Sequence, residues 1–163
     1  IYMANGTMGS CVGLSLGLAL AELPIELHAV RVVEDRFASP RAFERLQQKT
    51  AMMLRRLDPS IPADITRRTR VNWRDEFFAG GYAVADAVTR DAVDRAGTSL
   101  GLKIETTYTG KAMAALLHDL ESPDYNGGHY LFWNTYNSRS LPVTGARPST
   151  RDNIPEEFMS YFD

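Results

Sequence analysis

Short apolar runs and stretches of helical spacing alternate along this chain, and that alternation predicts a succession of strands and helices. Ile1, Tyr2, Met3 and Ala4 read as the end of a buried strand. Residues 11–21 are apolar nearly all round, which suits a buried helix, and Gly13, Ser15, Gly17 and Ala19 let it approach a sheet closely. Pro24 ends that helix, and residues 25–33 form a second strand rich in Ile, Leu and Val. Ser39 and Pro40 then supply an N-cap and a first helical position. Ala42, Phe43, Leu46, Thr50, Met53, Leu54 and Leu57 follow at helical spacing.

Asp58-Pro59 and Ile61-Pro62 mark a loop, and residues 65–73 make a weaker strand interrupted by arginines. A glycine-bearing loop at 77–82 leads into a helix over 83–96, closed by Gly97. Residues 102–107 alternate as a short strand, with Leu102, Ile104 and Thr106 on one face. Tyr108-Thr109-Gly110 opens a helix over 111–120, and Gly127-Gly128 precedes a last strand at 129–133. A polar loop at 134–149 and a terminal helix at 154–162 complete the series. The predicted fold class is α/β: an open, mostly parallel twisted sheet with helices on both faces.

Composition narrows the function. The chain has 163 residues, 18 Lys+Arg against 20 Asp+Glu, and a net charge of -2, which argues against a nucleic-acid binder that works by blanket phosphate neutralisation. A single cysteine, Cys11, excludes an internal disulfide framework and any site of several thiolates. Cys11 itself, among apolar neighbours, reads as a small core residue. His28, His118 and His129 lack ligand spacing, so no metal site is expected. No apolar run approaches the roughly 20 residues of a membrane span, and the expectation is a soluble, cytoplasmic protein. The chain opens on what reads as the end of a buried strand, which predicts that it is the C-terminal part of a longer protein.

The first turn holds the sharpest chemical signal. Asn5, Gly6, Thr7, Met8, Gly9 and Ser10 lie between the opening strand and the first helix. A helix start presents unpaired N–H groups and about half a positive charge, the glycines let the backbone approach an anion, and Thr7 and Ser10 add hydroxyls. That describes a phosphate cradle, although a tight strand-to-helix turn would want glycine as well. It is neither a Walker loop nor the dinucleotide fingerprint. Ligands of open parallel sheets bind at the carboxyl ends of the strands, where Tyr82, Tyr108, Thr109 and Thr135 are expected to converge on the turn. The arginines at 67, 68, 70 and 74 read as a solvated face, Asp119-Leu120-Glu121 as a plain helix end, and Lys49, Lys103 and Lys111 as surface lysines.

These residues carry a family resemblance. Ala4-Asn5-Gly6-Thr7-Met8-Gly9-Ser10-Cys11-Val12-Gly13-Leu14 resembles the phosphate-loop pattern Ala-Thr-Gly-Ser-Gly-Gly-Thr-x-x-Gly-Leu of fold-type II pyridoxal-phosphate enzymes. Tyr108-Thr109-Gly110-Lys111-Ala112-Met113 is similar to a segment of D-cysteine desulfhydrases, and aminocyclopropane-carboxylate deaminases carry Tyr-Glu-Gly-Lys-Ser-Met there. Gly81-Tyr82 matches the family's Gly-Tyr-Gly turn, and Leu131-Phe132-Trp133-Asn134-Thr135 resembles Leu-Phe-x-His-Thr. Order and spacing agree over residues 1 to about 137.

The resemblance implies the C-terminal part of a pyridoxal-phosphate-binding large domain, spanning residues 1–163, without the N-terminal half and small domain. It implies pyridoxal 5'-phosphate as cofactor and a small amino acid as substrate, with elimination or deamination after removal of an α-proton. Residues 5–10 would hold the cofactor phosphate, Tyr82 and Tyr108 would be catalytic, and Thr109 and Thr135 would lie on the pyridine side. A tyrosine base would need its pKa lowered by roughly 2 to 3 units. Thr109 in place of Glu favours the desulfhydrase branch. Implied partners are the N-terminal half of the same protein, which carries the family's cofactor-linked lysine, and a second copy in a homodimer. Met8 in place of a loop glycine, and Asn134, Tyr136 and Asn137 in place of His-Thr-Gly-Gly residues, depart from the pattern. The competing expectation is a non-catalytic module that binds a phosphorylated ligand.

Overall fold

The computed structural model describes residues 1–123, 128–137, 139, 155 and 156. The opening apolar run becomes β1 (Tyr2–Asn5), which pairs in parallel with β2 (Leu27–Arg31), and β2 pairs in parallel with β3 (Val71–Arg74). Tyr2 stands opposite His28, and Val30 opposite Arg74. The sheet order is β1-β2-β3. On the outer side of β1, Tyr2 donates its N–H to Leu131 (2.8 Å) and accepts from Trp133 (2.9 Å), so residues 131–133 run parallel to it. The predicted strand at 129–133 is thus a single bridge at Phe132.

Alternation along the strands sends neighbouring side chains to opposite faces, and each face carries its own core. On one side Met3, Leu27 and Ala29 pack with Cys11, Val12 and Leu16 of α1 (Gly9–Leu20) and with Phe43 and Ala51 of α2 (Pro40–Leu57). On the other, Tyr2 and Val30 pack with Ala92 and Ala96 of α3 (Ala87–Leu100) and with residues 112–116 of α4 (Thr109–Leu120). Helices therefore cover both faces of a parallel sheet, as the sequence predicts.

Three expectations change. Residues 65–68 form a 3-10 turn, and only residues 71–74 make a strand, because Ile65 turns into the core while Arg67 and Arg68 face solvent. The third long helix starts and ends later than the sequence suggests. Asp86 caps it by accepting from the Thr89 N–H (2.8 Å), and Gly101, at φ 63°, ends it in place of Gly97. Residues 102–107 pair with no strand among the described residues; their backbone feeds the cap of α4 instead. The predicted terminal helix at 154–162 and most of the loop at 134–149 lie outside the described residues. Among the described residues no helix is long and apolar enough to cross a membrane.

Candidate functional site

The site begins where β1 stops. Met8 turns the chain with φ 67°, a left-handed conformation that a side chain adopts at a cost of about 1–2 kcal/mol. Its side chain is buried against the α1 face of the core, so packing holds the turn in place. The first helical bond of α1 runs from the Val12 N–H to the Met8 carbonyl (2.9 Å), which leaves the Ser10 and Cys11 amides directed out of the helix end. No acidic side chain occupies the first turn and no side chain caps it. The helix end keeps its partial positive charge for a ligand.

A cleft of about 300 Å³ opens over this end, lined by residues 4–11, Val33, Tyr108 and Thr135. Thr7, Gly9 and Ser10 are exposed to it, and Gly9 has open space where a side chain would begin. Asn5 is 1% exposed, and among the described residues neither amide atom of its side chain has a hydrogen-bond partner. A buried polar group left unsatisfied costs about 1–3 kcal/mol, so Asn5 is a standing donor and acceptor for whatever fills the cleft.

Tyr108 reaches the cleft from the start of α4, and the cause is Glu105. Its carboxylate accepts the N–H groups of Thr107 (2.6 Å), Tyr108 (2.9 Å) and Thr109 (2.8 Å), plus the Thr109 hydroxyl (3.0 Å). Burial works to raise its pKa, but these donors outweigh burial and hold it below the ordinary value. Glu105 therefore caps the helix dipole and aims Tyr108. Nothing in the sequence pattern singled it out, although a carboxylate close to a helix start complements the positive end of its dipole. Gly110 is obligatory behind it: a Cβ there would sit 2.7 Å from the Glu105 carbonyl oxygen and from Val93.

The hydroxyl of Tyr82 lies 2.5 Å from that of Tyr108, with the rings edge to face at 5.9 Å. The bond to Tyr82 is the main reason that the Tyr108 phenol is pushed up to about 12, with burial and the charge of Glu105 adding to it. Within this chain by itself the Tyr108 phenol therefore lies above its ordinary value and holds its proton at neutral pH. The structure thus gathers residues 5–10, Tyr108 and Thr135 around one cleft, with Tyr82 one hydrogen bond behind. Thr109 does not line it. Thr109 is 1% exposed, and Glu105 takes its hydroxyl.

Other candidates fall elsewhere. Burial pushes the Cys11 thiol up to about 12, so it stays protonated, as a core residue should. Lys49 and Lys103 are exposed, but Lys111 is fully buried, contrary to its reading as a surface lysine. Arg74 is not part of a solvated face, nor is Asp119 a plain helix end: both are buried and bonded to each other. Among the described residues no cluster of His, Cys, Asp or Glu could hold a metal ion.

The chain is similar to D-cysteine desulfhydrases. It is 28% identical over 142 residues to those of Salmonella newport (strain SL254) and Salmonella heidelberg (strain SL476), which covers 86% of this chain and 40% of each relative. The chain therefore spans about two-fifths of the length of the curated relatives it matches. A crystal structure of an ACC deaminase homologue shares the fold, with a TM-score of 0.56 over 72% of this chain and 33% of that one, at 23% identity. No family model matches the chain. The desulfhydrase similarity extends the agreement of the separate motifs over most of the sequence.

Proposed function

We propose that this chain is the C-terminal part of the cofactor-binding domain of a pyridoxal-phosphate enzyme that eliminates from, or deaminates, a small amino acid. The carrying observation is one cleft in which an uncapped helix end, an unsatisfied Asn5 amide, Thr135 and Tyr108 meet, with Tyr82 bonded to Tyr108 from behind. The residues present fit the cofactor's phosphate. The Ser10 and Cys11 amides, the Thr7 and Ser10 hydroxyls and the Asn5 amide offer donors to an anion, and no carboxylate lines the cleft to repel it. Thr135 would face the ring.

When bound, pyridoxal phosphate supplies an electron sink for charge that develops at the substrate α-carbon. This chain's residues bind, orient and hold protons. Tyr108 keeps its proton at Oη and donates it as a hydrogen bond to an anionic oxygen or an amine in the cleft, while Tyr82 fixes the direction of that phenol. The deprotonating group and the cofactor-linked lysine belong to the N-terminal half. None of the cleft-lining residues is a lysine, and the Lys111 ammonium is occupied by two carbonyls. That half and a second copy of the chain are the proposed partners, and the cytoplasm the proposed compartment. β3 supports the first: among the described residues it pairs only with β2.

A phosphate titration followed by amide NMR tests the site, and mixing with an N-terminal half tests the chemistry. Gly6, Thr7, Gly9 and Ser10 amides should move first. The chain alone should not turn over D-cysteine or aminocyclopropane carboxylate, and the mixture should turn over one of them. Amides that stay still at tens of millimolar phosphate refute the cradle. Phosphate binding with an inactive mixture points to the non-catalytic phosphate module, a reading that Asn134, Tyr136 and Asn137 in place of the His-Thr-Gly-Gly residues favour.

A further inference from the structure

Lys111 is the most deeply buried cation of the described residues, at 0% exposure, and the proposed chemistry leaves it without a task. Lysine is rarely buried without a paired charge. Here its ammonium donates to two main-chain carbonyls, those of Phe78 (2.7 Å) and Gly81 (3.0 Å), and no carboxylate among the described residues forms an ion pair with it. Burial lowers its pKa, against the opposing pull of Asp86, Glu105 and Glu34.

The segment it grips is strained. Ala79 (φ 60°), Gly80 (φ 78°) and Ala83 (φ 58°) are all left-handed, and two of the three are not glycine. Such a conformation persists only where surrounding contacts over-determine it. The Phe78 ring supplies a second grip: it lies 4.4 Å from the Arg31 guanidinium and 5.0 Å from the Lys111 ammonium. Arg31 is fixed in turn by Asp75, by Asp35 (3.0 Å) and by the Val33 carbonyl (2.9 Å). The residue next to Gly81 is Tyr82, whose hydroxyl meets Tyr108.

We propose that Lys111 is a positioning residue for Tyr82: its buried ammonium draws the Phe78 and Gly81 carbonyls together and so holds the Tyr82 phenol against that of Tyr108. Helix α4 then sets both members of the tyrosine pair, Tyr108 as the residue that precedes its first turn and Tyr82 through Lys111, three residues on. The clamp stands on this chain's own contacts; its importance for catalysis rests on the proposed function.

The test is the titration of the Tyr108 phenol, followed by NMR in chain labelled at the tyrosine ring carbon, without cofactor. Tyr82→Phe, which removes the partner, should lower the Tyr108 midpoint from its raised value in the parent chain toward the ordinary tyrosine range. Lys111→Met should give a fall of the same size with the amide spectrum of the sheet unchanged, and the double variant no further fall. A Lys111→Met midpoint that stays at the parent value while Tyr82→Phe lowers it overturns the clamp. If Lys111→Met does not fold, Lys111→Gln decides: it keeps a polar end but cannot reach both carbonyls, so it should lower the midpoint too, and an unchanged value overturns the proposal. A failed phosphate titration at the first turn would defeat the proposed function and leave this result standing.

Discussion

Arg74, at the end of β3, and Asp119, in the last turn of α4, form a two-pronged ion pair with contacts of 2.5 and 3.0 Å, both side chains less than one-tenth exposed. Asp119 also accepts the Tyr2 hydroxyl (2.6 Å), and Arg74 contacts His28 Nδ1 (3.1 Å), whose ring stacks on Tyr2 at 4.1 Å. The cluster thus ties all three strands to α4.

Breaking it from one side should be costly. Arg74→Met leaves a buried carboxylate without its cation, and a loss of about 3–5 kcal/mol is expected by urea denaturation. Acid should act on the same cluster. Burial works to raise the Asp119 pKa, but the bonds from Arg74, Tyr2 and His118 hold it at about 2. The folded value lies below the unfolded one, so this stabilisation is complete above pH 3.8 and lost as pH falls toward 2. From that difference it amounts to about 2 kcal/mol. Burial also lowers the His28 pKa, so its contribution is present above pH 6.5 and declines as pH falls below it. Stability should therefore drop in two stages on acidification. Thermal melts showing no loss between pH 7 and pH 3 would contradict this.

Met8 offers a contrast between strain and burial. Met8→Ala keeps the left-handed turn and removes a buried side chain, with an expected loss of about 2 kcal/mol. Met8→Gly loses the same burial but relieves the turn, so it should be more stable than Met8→Ala by about 1 kcal/mol. At an ordinary helical position glycine would be the worse of the two. An alanine variant equal to or better than the glycine variant in chemical denaturation would show that Met8 is not held left-handed.

Glu105→Ala should uncap α4. A loss of about 1–2 kcal/mol is expected, on the scale of a lost N-cap, with faster amide exchange at Thr107, Tyr108 and Thr109. Because the folded Glu105 pKa is depressed, the cap is fully formed above pH 4.5 and weakens below it. Exchange at those three amides that is unaffected by the substitution would remove Glu105 from the site.

The sequence by itself determined the strand-turn-helix unit at residues 1–21, the N-cap at Ser39-Pro40 and, to within two residues, the helix that Tyr108-Thr109-Gly110 opens, because glycine, proline and capping residues act over a few positions. Period and composition likewise determined the covered parallel sheet. Motif order pointed to Tyr82, Tyr108 and Thr135 together. Tertiary structure decided what depends on distant partners. The region at 65–73 has strand-like composition, yet Ile65 finds a core site only by turning. Lys111, Arg74 and Asp119 read as ordinary charged positions, because one-dimensional spacing does not reveal that a carbonyl 33 residues away or a carboxylate 45 residues away will satisfy them. The direction of the Tyr108 pKa belongs to the same class. It follows from a phenol 26 residues distant, brought within hydrogen-bond reach only when the loop and α4 pack.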